Sequence, residues 1–246
     1  MARRADPARG RPVSDGAAST SATHAPGGVW LRDLAPTRPR RNLTREEIVT
    51  QAIALLDDHG VQGLTMRAVA ERLGVTSAAL YWHVQTKEDV LDLAFDQVFA
   101  SVELPPRDGP WRLQVRTLLS RWRAAMLAHP WSTALVNRPM LGPHVLERTE
   151  YLHAALARAG LTGTELVAAA RVLANFVIGN AVVESSRPLL GADPDREGLP
   201  PQAHVADQGR YPTLVQVGHF AQEEVHPDRI FELGLDMALT GVAARR

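Results

Sequence analysis

Tyr81, Trp82 and His83 stand in a row, with Thr76 and Ser77 shortly before them and Lys87 shortly after. Within one short stretch they supply aromatic faces, hydroxyls, an imidazole and an ammonium. Such groups donate to phosphate oxygens and reach base edges, which is the chemistry of nucleic-acid recognition. An aromatic pair can equally be a plain hydrophobic anchor between helices, and His83 can sit as a charge on a helix C-terminal dipole. What separates these uses is the element that carries the residues. If the stretch is helical, Leu80 turns inward and Tyr81 and Trp82 form an exposed apolar surface that a partner should cover.

The surrounding pattern is helical. Thr44-Arg45-Glu46-Glu47 has the form of a capping box, and Ile48, Ala52, Leu55 and Leu56 then share one face, with Gly60 placed to stop the helix. Thr65 opens a second helix over 66–73, Gly74 breaks it, and Thr76 is placed to cap a third over 77–83. Two short helices around Gly74-Val75-Thr76 make a helix-turn-helix, because Gly tolerates a left-handed turn and Val75 can plug the angle. Thr86 and Asp89 open a fourth helix over 86–103. A further helix is predicted from Pro110, at its first position, to His129-Pro130, and others over 131–137, 143–159, 163–186, 212–224 and 228–244. The prolines and Asp/Gly clusters of 187–211 read as a long loop. No run alternates with period two, so the fold class is all-α. The domains are expected to be a disordered basic extension over 1–43, a helix-turn-helix module over 44–90 and a larger helical domain over 91–246.

Composition bounds the rest. The 246 residues are 45% apolar, enough to bury a core, and contain no cysteine, which removes disulfides and thiolate chemistry and suits a reducing cytoplasm. Basic and acidic residues balance at 27 each, but unevenly. Residues 1–43 hold eight arginines against three aspartates, and 44–104 hold four basic against ten acidic residues. The densest basic run, Arg38-Pro39-Arg40-Arg41, precedes the first helix. It is either a solubilising tail or an arm in which Arg40 and Arg41 reach a minor groove. The apolar stretch Val167–Val183 is interrupted by Arg171, Asn175 and Asn180, so it reads as a buried helix and no membrane partner is expected. No Gly-x-Ser-x-Gly elbow, phosphate loop or Gly-x-Gly-x-x-Gly is present, so no enzyme and no cofactor are expected. No two histidines share a helix at metal-site spacing, so no metal is expected either.

Leu64-Thr65-Met66-Arg67-Ala68-Val69-Ala70-Glu71-Arg72-Leu73-Gly74-Val75, followed by Leu80-Tyr81-Trp82-His83-Val84 and Lys87, resembles the tetracycline-repressor family. The Tyr-Trp-His triplet is similar to its tetracycline-responsive members in particular. The resemblance implies a homodimer whose recognition helices enter successive major grooves of a palindromic operator, and whose C-terminal domains dimerise and bind a small-molecule inducer that releases DNA. By position, Arg67, Ser77, Ala78, Ala79 and Tyr81 would face base edges. Thr65, Thr76, Trp82, His83 and Lys87 would hold phosphates or set the helix angle. The helices over 163–186 and 228–244 would form the dimer bundle.

Two departures bear on the ligand. Ala134 stands where tetracycline-responsive members place a metal-ligating His, and a second pocket His is missing around Ser101 and Val102, which argues against tetracycline itself. What remains by placement is an apolar, aromatic pocket of Phe95, Phe99, Trp131, Leu135, Met140, Tyr151 and Phe176, with Asn137, Arg138, Asn175 and Glu184 as polar handles. The same aromatic residues at helical spacing can be plain core. Alternatives of function stay open: an activator or ligand-insensitive DNA-binding protein of the same fold, or an all-α small-molecule enzyme or carrier.

Overall fold

The computed structural model describes residues 25–31, 43–191, 210–217 and 226–245. All regular structure among them is helical. A 3₁₀ turn spans Gly28–Leu31. Then come α1 Arg45–Gly63, α2 Met66–Leu73, α3 Ser77–Leu80, α4 Lys87–Ala100, α5 Trp111–Ala128, a 3₁₀ segment Pro130–Leu135, α6 Pro143–Arg158, α7 Gly163–Gly191, α8 Pro212–Gln216 and α9 Pro227–Ala243.

The caps explain the boundaries. Thr44 and Glu47 close a reciprocal capping box at the start of α1, and Thr86 and Asp89 close another at α4. Gly60 interrupts α1 with a φ of 65°, and helical turns resume as far as Gly63. Gly74 ends α2 in the left-handed region at φ 64°, and the Val75 amide donates to the Ala70 carbonyl to complete the C-cap. Thr76 precedes α3 without a side-chain cap bond, and α3 closes at Leu80, with turns over 81–83 in place of the helix expected there.

Apolar faces then assemble one continuous core. Ile48, Leu56, Val69, Leu80 and Val90 bury the small N-terminal helices against α4. Phe99, Leu118, Leu119, Met126, Leu152 and Leu156 fill the larger bundle. α4 packs against α1 on one side and α6 on the other, so one helix joins the two parts. Within the bundle, α7 packs on α5, α6 and α9.

Several boundaries differ from expectation. Residues 25–31, placed by composition in a disordered extension, make an ordered turn with Val29 buried, because a tertiary partner on α4 holds them. The remainder of that extension up to residue 42 lies outside the described residues. α7 runs to Gly191, past the loop start expected at 187, and residues 192–209 of that loop lie outside the described residues. The segment after Pro130 is 3₁₀ and ends at Leu135. α7, expected to be a buried helix, is buried along one narrow face only, at Ala169, Ala170, Leu173, Val177 and Ala181. It is long and apolar enough to cross a bilayer, yet outside its core face it exposes Val172 and Val183 on one side and Val167 on another.

Candidate functional site

Around the turn at Gly74, Leu80 and Val84 are buried and act as pegs that orient what lies between them. Tyr81 and Trp82 project outward, 51% and 75% exposed. Two flat rings on a short outer turn are an unusual surface for a chain with no partner. Bonds from neighbouring elements hold this turn in place. Arg45 of α1 donates to the His83 carbonyl at 3.3 Å, and Arg72 pairs with Asp58 at 3.1 Å. Lys87 donates from Nζ to the Val61 carbonyl at 3.0 Å, which fastens α4 to the end of α1.

The other sequence-predicted polar residues of this face divide into bound and open. Thr65 accepts from the Ala68 amide as the cap of α2, and Arg67 is exposed while paired with Glu71 at 2.7 Å. Ala78 and Thr76 are exposed, whereas Ser77, Ala79 and His83 are half-buried. Small residues at 77–79 leave nothing bulky between α3 and an approaching surface. Arg40 and Arg41 lie outside the described residues.

Below this module α4 carries three buried carboxylates, Asp89, Asp92 and Asp96, on a largely apolar helix. Each is spoken for by a different element. Asp89 caps α4 itself. Asp92 lies 2.7 Å from the guanidinium of Arg138 and accepts the Gly27 amide at 2.5 Å. Asp96 accepts the Val145 amide at 2.9 Å, at the start of α6. Burial pushes the carboxyls of Asp92 and Asp96 above the usual carboxylate range, opposed by the amides and guanidinium that bind their charged forms. Arg138 also grips Glu88 through its side chain and, at 3.0 Å, its carbonyl. A second clasp joins α1 to the segment after α5. Asp57 accepts the Trp131 indole N–H at 2.6 Å and lies 2.8 Å from His129 Nδ1.

Between these clasps lies a cleft of about 540 Å³ lined by Pro26, Val61, Gln62, Lys87, Glu88, Leu91, Ala134, Leu135, Asn137, Arg138 and Pro139. Its walls come from both parts of the chain. Of the ligand residues expected from sequence, Leu135, Asn137 and Arg138 meet here. Phe95, Phe99 and Tyr151 are packed in the core: Phe95 and Phe99 lie 5.1 Å apart, Phe99 meets Trp122 edge-on, and the Tyr151 hydroxyl donates to the Pro106 carbonyl. Trp131 is buried and Met140 half-buried, while Phe176 stacks on Phe231 at 5.5 Å. Asn175 is exposed on α7. Glu184 is engaged by Arg123 at 2.5 Å, and Arg123 also reaches Asp228 and lies over the Phe231 ring. Sequence reasoning missed Asp57, Asp92, Asp96 and Arg123. The available signal was an aspartate at 89, 92 and 96 on a helix whose other positions are mostly apolar.

On the far side, α7 and α9 expose Val167, Val172 and Val183 beside Ile230, Leu233 and Met237. Val172 and Val183 share one face of α7, Ile230, Leu233 and Met237 share one face of α9, and the two helices pack together.

A sequence profile described as bacterial regulatory proteins of the tetR family matches residues 48–94, and one described as the tetracyclin repressor-like C-terminal domain matches 105–246. An HTH-type transcriptional regulator of Saccharopolyspora erythraea is 39% identical over 89% of this chain and 93% of its own length. The HTH-type transcriptional repressor DrrR1 of Streptomyces coeruleorubidus is 32% identical over 89% of this chain and 86% of its own. Among solved structures, the TetR-family protein ActR of Streptomyces coelicolor in complex with (S)-DNPA superposes with a TM-score of 0.72. It is 30% identical and covers 84% of this chain and all of that one.

Proposed function

The chain belongs to the tetracycline-repressor (TetR) family of transcriptional regulators, and from that premise we propose that it is a dimeric repressor that leaves its operator when a hydrophobic small molecule binds. The observation that carries this is the outward pair Tyr81 and Trp82, held on a turn whose neighbours Leu80 and Val84 are buried. Buried pegs fix the turn, and they leave the outward rings and the small side chains of Ser77, Ala78 and Ala79 facing out toward a major groove. The proposed division is a DNA-binding module over 44–90 and a ligand-binding and dimerisation domain over 91–246. The likeness to a protein called a repressor supports repression over activation.

The face of α7 and α9 supplies the proposed dimer contact. A C2 interface needs one self-complementary apolar patch, and Val172 and Val183 of α7 with Ile230, Leu233 and Met237 of the adjoining α9 are the exposed apolar residues available to form one. Two copies then set the spacing of the recognition turns.

The ligand step works through α4. In the cleft, Arg138 holds Glu88 and Asp92 of α4. A molecule seated against Leu135 and Asn137 that draws Arg138 away loosens the first turns of α4, and Lys87 in the same turn fastens α1. Such a ligand binds one hinge angle better than another and shifts the population accordingly. The ActR complex with (S)-DNPA supports a small organic ligand for this fold. The test is a gel-shift titration on the intergenic DNA beside the coding sequence, repeated with candidate small molecules. A shifted band that a ligand dissolves is expected; a band that no ligand alters, or no band at all, contradicts the proposal.

A further inference from the structure

Ahead of α1 lies a segment with no part in the recognition turn or the dimer face. Gly27, Gly28 and Val29 are buried, although they lie sixteen or more residues ahead of the first long helix. The turn is closed by its own bonds, Gly28 amide to Ala25 carbonyl at 2.8 Å and Trp30 amide to Gly27 carbonyl at 3.2 Å. Its anchors are tertiary. The Gly27 amide donates to Asp92 of α4, and the Gly27 backbone lies so close to Pro139 that an added Cβ would stand 2.9 Å from the proline Cβ. Gly27 also has a φ of +81°, a conformation that a side chain would strain. Pro26 forms part of the cleft wall shared with Val61, Gln62 and Lys87.

We propose that residues 25–31 are a strap that pins α4 to the Arg138-Pro139 segment of the larger domain, so that the N-terminal extension raises operator affinity by restraining the hinge. Asp92 gathers both partners on one carboxylate, Gly27 through Oδ2 and Arg138 through Oδ1. A movement of α4 away from Pro139 therefore breaks either the Gly27–Asp92 bond or the Gly27–Pro139 contact. The contacts of the strap are with Asp92 of α4 and with Pro139, so its effect runs through geometry. A hinge with fewer conformers loses less freedom when two recognition turns dock at one fixed spacing. Residues 25–31 carry no basic side chain to neutralise a phosphate, so the strap changes affinity without changing its salt dependence.

The inference rests on operator binding by this chain, and its test separates the two. Gly27→Ala and Val29→Ser are made in the full chain. Gly27→Ala acts on the strap's fit against Pro139, and Val29→Ser acts on its burial. Hydrogen exchange is followed in peptides covering 25–31 and 88–96, which needs no DNA, and operator titrations are run across a range of salt. Both variants are expected to exchange faster in both peptides. Both should weaken operator binding by about three- to tenfold at every salt concentration, with parallel slopes. Unchanged exchange in 88–96 overturns the pin, and faster exchange with unchanged affinity overturns its coupling to DNA. A lowered salt slope overturns the geometric route in favour of a direct DNA contact. Failure of the unaltered protein to bind any operator contradicts the regulator reading, and the exchange data still decide whether the strap holds α4.

Discussion

Asp96, near the C-terminal end of α4, caps a helix to which it does not belong: its Oδ1 accepts the Val145 amide at 2.9 Å, in the first turn of α6. α6 begins at Gly142-Pro143 with no cap bond from its own flanking side chain, so the carboxylate on α4 supplies the missing acceptor. Gly142 is needed for this approach, because a Cβ there would stand 2.1 Å from the Asp96 carboxylate oxygen.

Asp96→Ala is therefore expected to cost about 0.5–2 kcal/mol, the range for a lost N-cap. Asp96→Asn keeps an acceptor and removes the charge, and its effect depends on pH. The folded carboxyl titrates above its ordinary value of 3.8. Between 3.8 and that raised value the folded state holds more protons than the unfolded one, so stability falls as pH rises through this window. Thermal melts across the window should show a smaller fall for Asp96→Asn. A fall as steep as in the unaltered protein would assign it to other groups.

Arg138 joins the segment after the 3₁₀ turn to α4 through Asp92 and Glu88. Removing it leaves Asp92 buried without its guanidinium, so Arg138→Ala is expected to destabilise by about 3 kcal/mol. In a denaturant series the double variant with Asp92→Ala should recover part of that loss. Additive losses would show that the pair is not coupled.

Met237→Lys and Val172→Lys place charges on the exposed apolar faces of α9 and α7. Sedimentation is expected to report monomers for both and a dimer for the unaltered chain. Dimers in the variants would place the interface elsewhere.

Arg40 and Arg41 lie between the strap and α1 in the sequence. If they reach phosphates, Arg40→Ser with Arg41→Ser lowers the salt slope of operator binding by about 0.9 for each phosphate that is no longer neutralised. Identical affinity and slope would leave the run as a solubilising linker.

Much of the architecture is legible in the residues because it is local. Thr44 with Glu47, Thr86 with Asp89, and Gly74 each act within four residues of themselves, and each boundary they mark is present. The inward turn of Leu80 follows from the same periodicity. What sequence reasoning misses is long-range. Val29 is ordered by α4, more than fifty residues away, and composition shows only an Ala, Arg and Pro-rich stretch. By position the aromatic set reads as one pocket, yet Phe95, Phe99 and Tyr151 are packed into the core while Asn175 faces outward. Periodicity tells which side of a helix is apolar; it does not tell whether the space opposite is a cavity or another ring. The partner of Glu184 is equally distant in sequence, Arg123 on a helix sixty-one residues earlier.

The central claim is that the exposed turn after α3 reads operator DNA, and the most direct measurement is a titration of the purified protein on its upstream intergenic DNA beside Tyr81→Ala and Trp82→Ala. Both rings are outside the core, so circular dichroism and melting temperature should stay unchanged while operator affinity falls by about five- to 150-fold, as expected when one good contact of about 1–3 kcal/mol is removed. Binding that survives both substitutions at full strength in folded dimers would contradict the account.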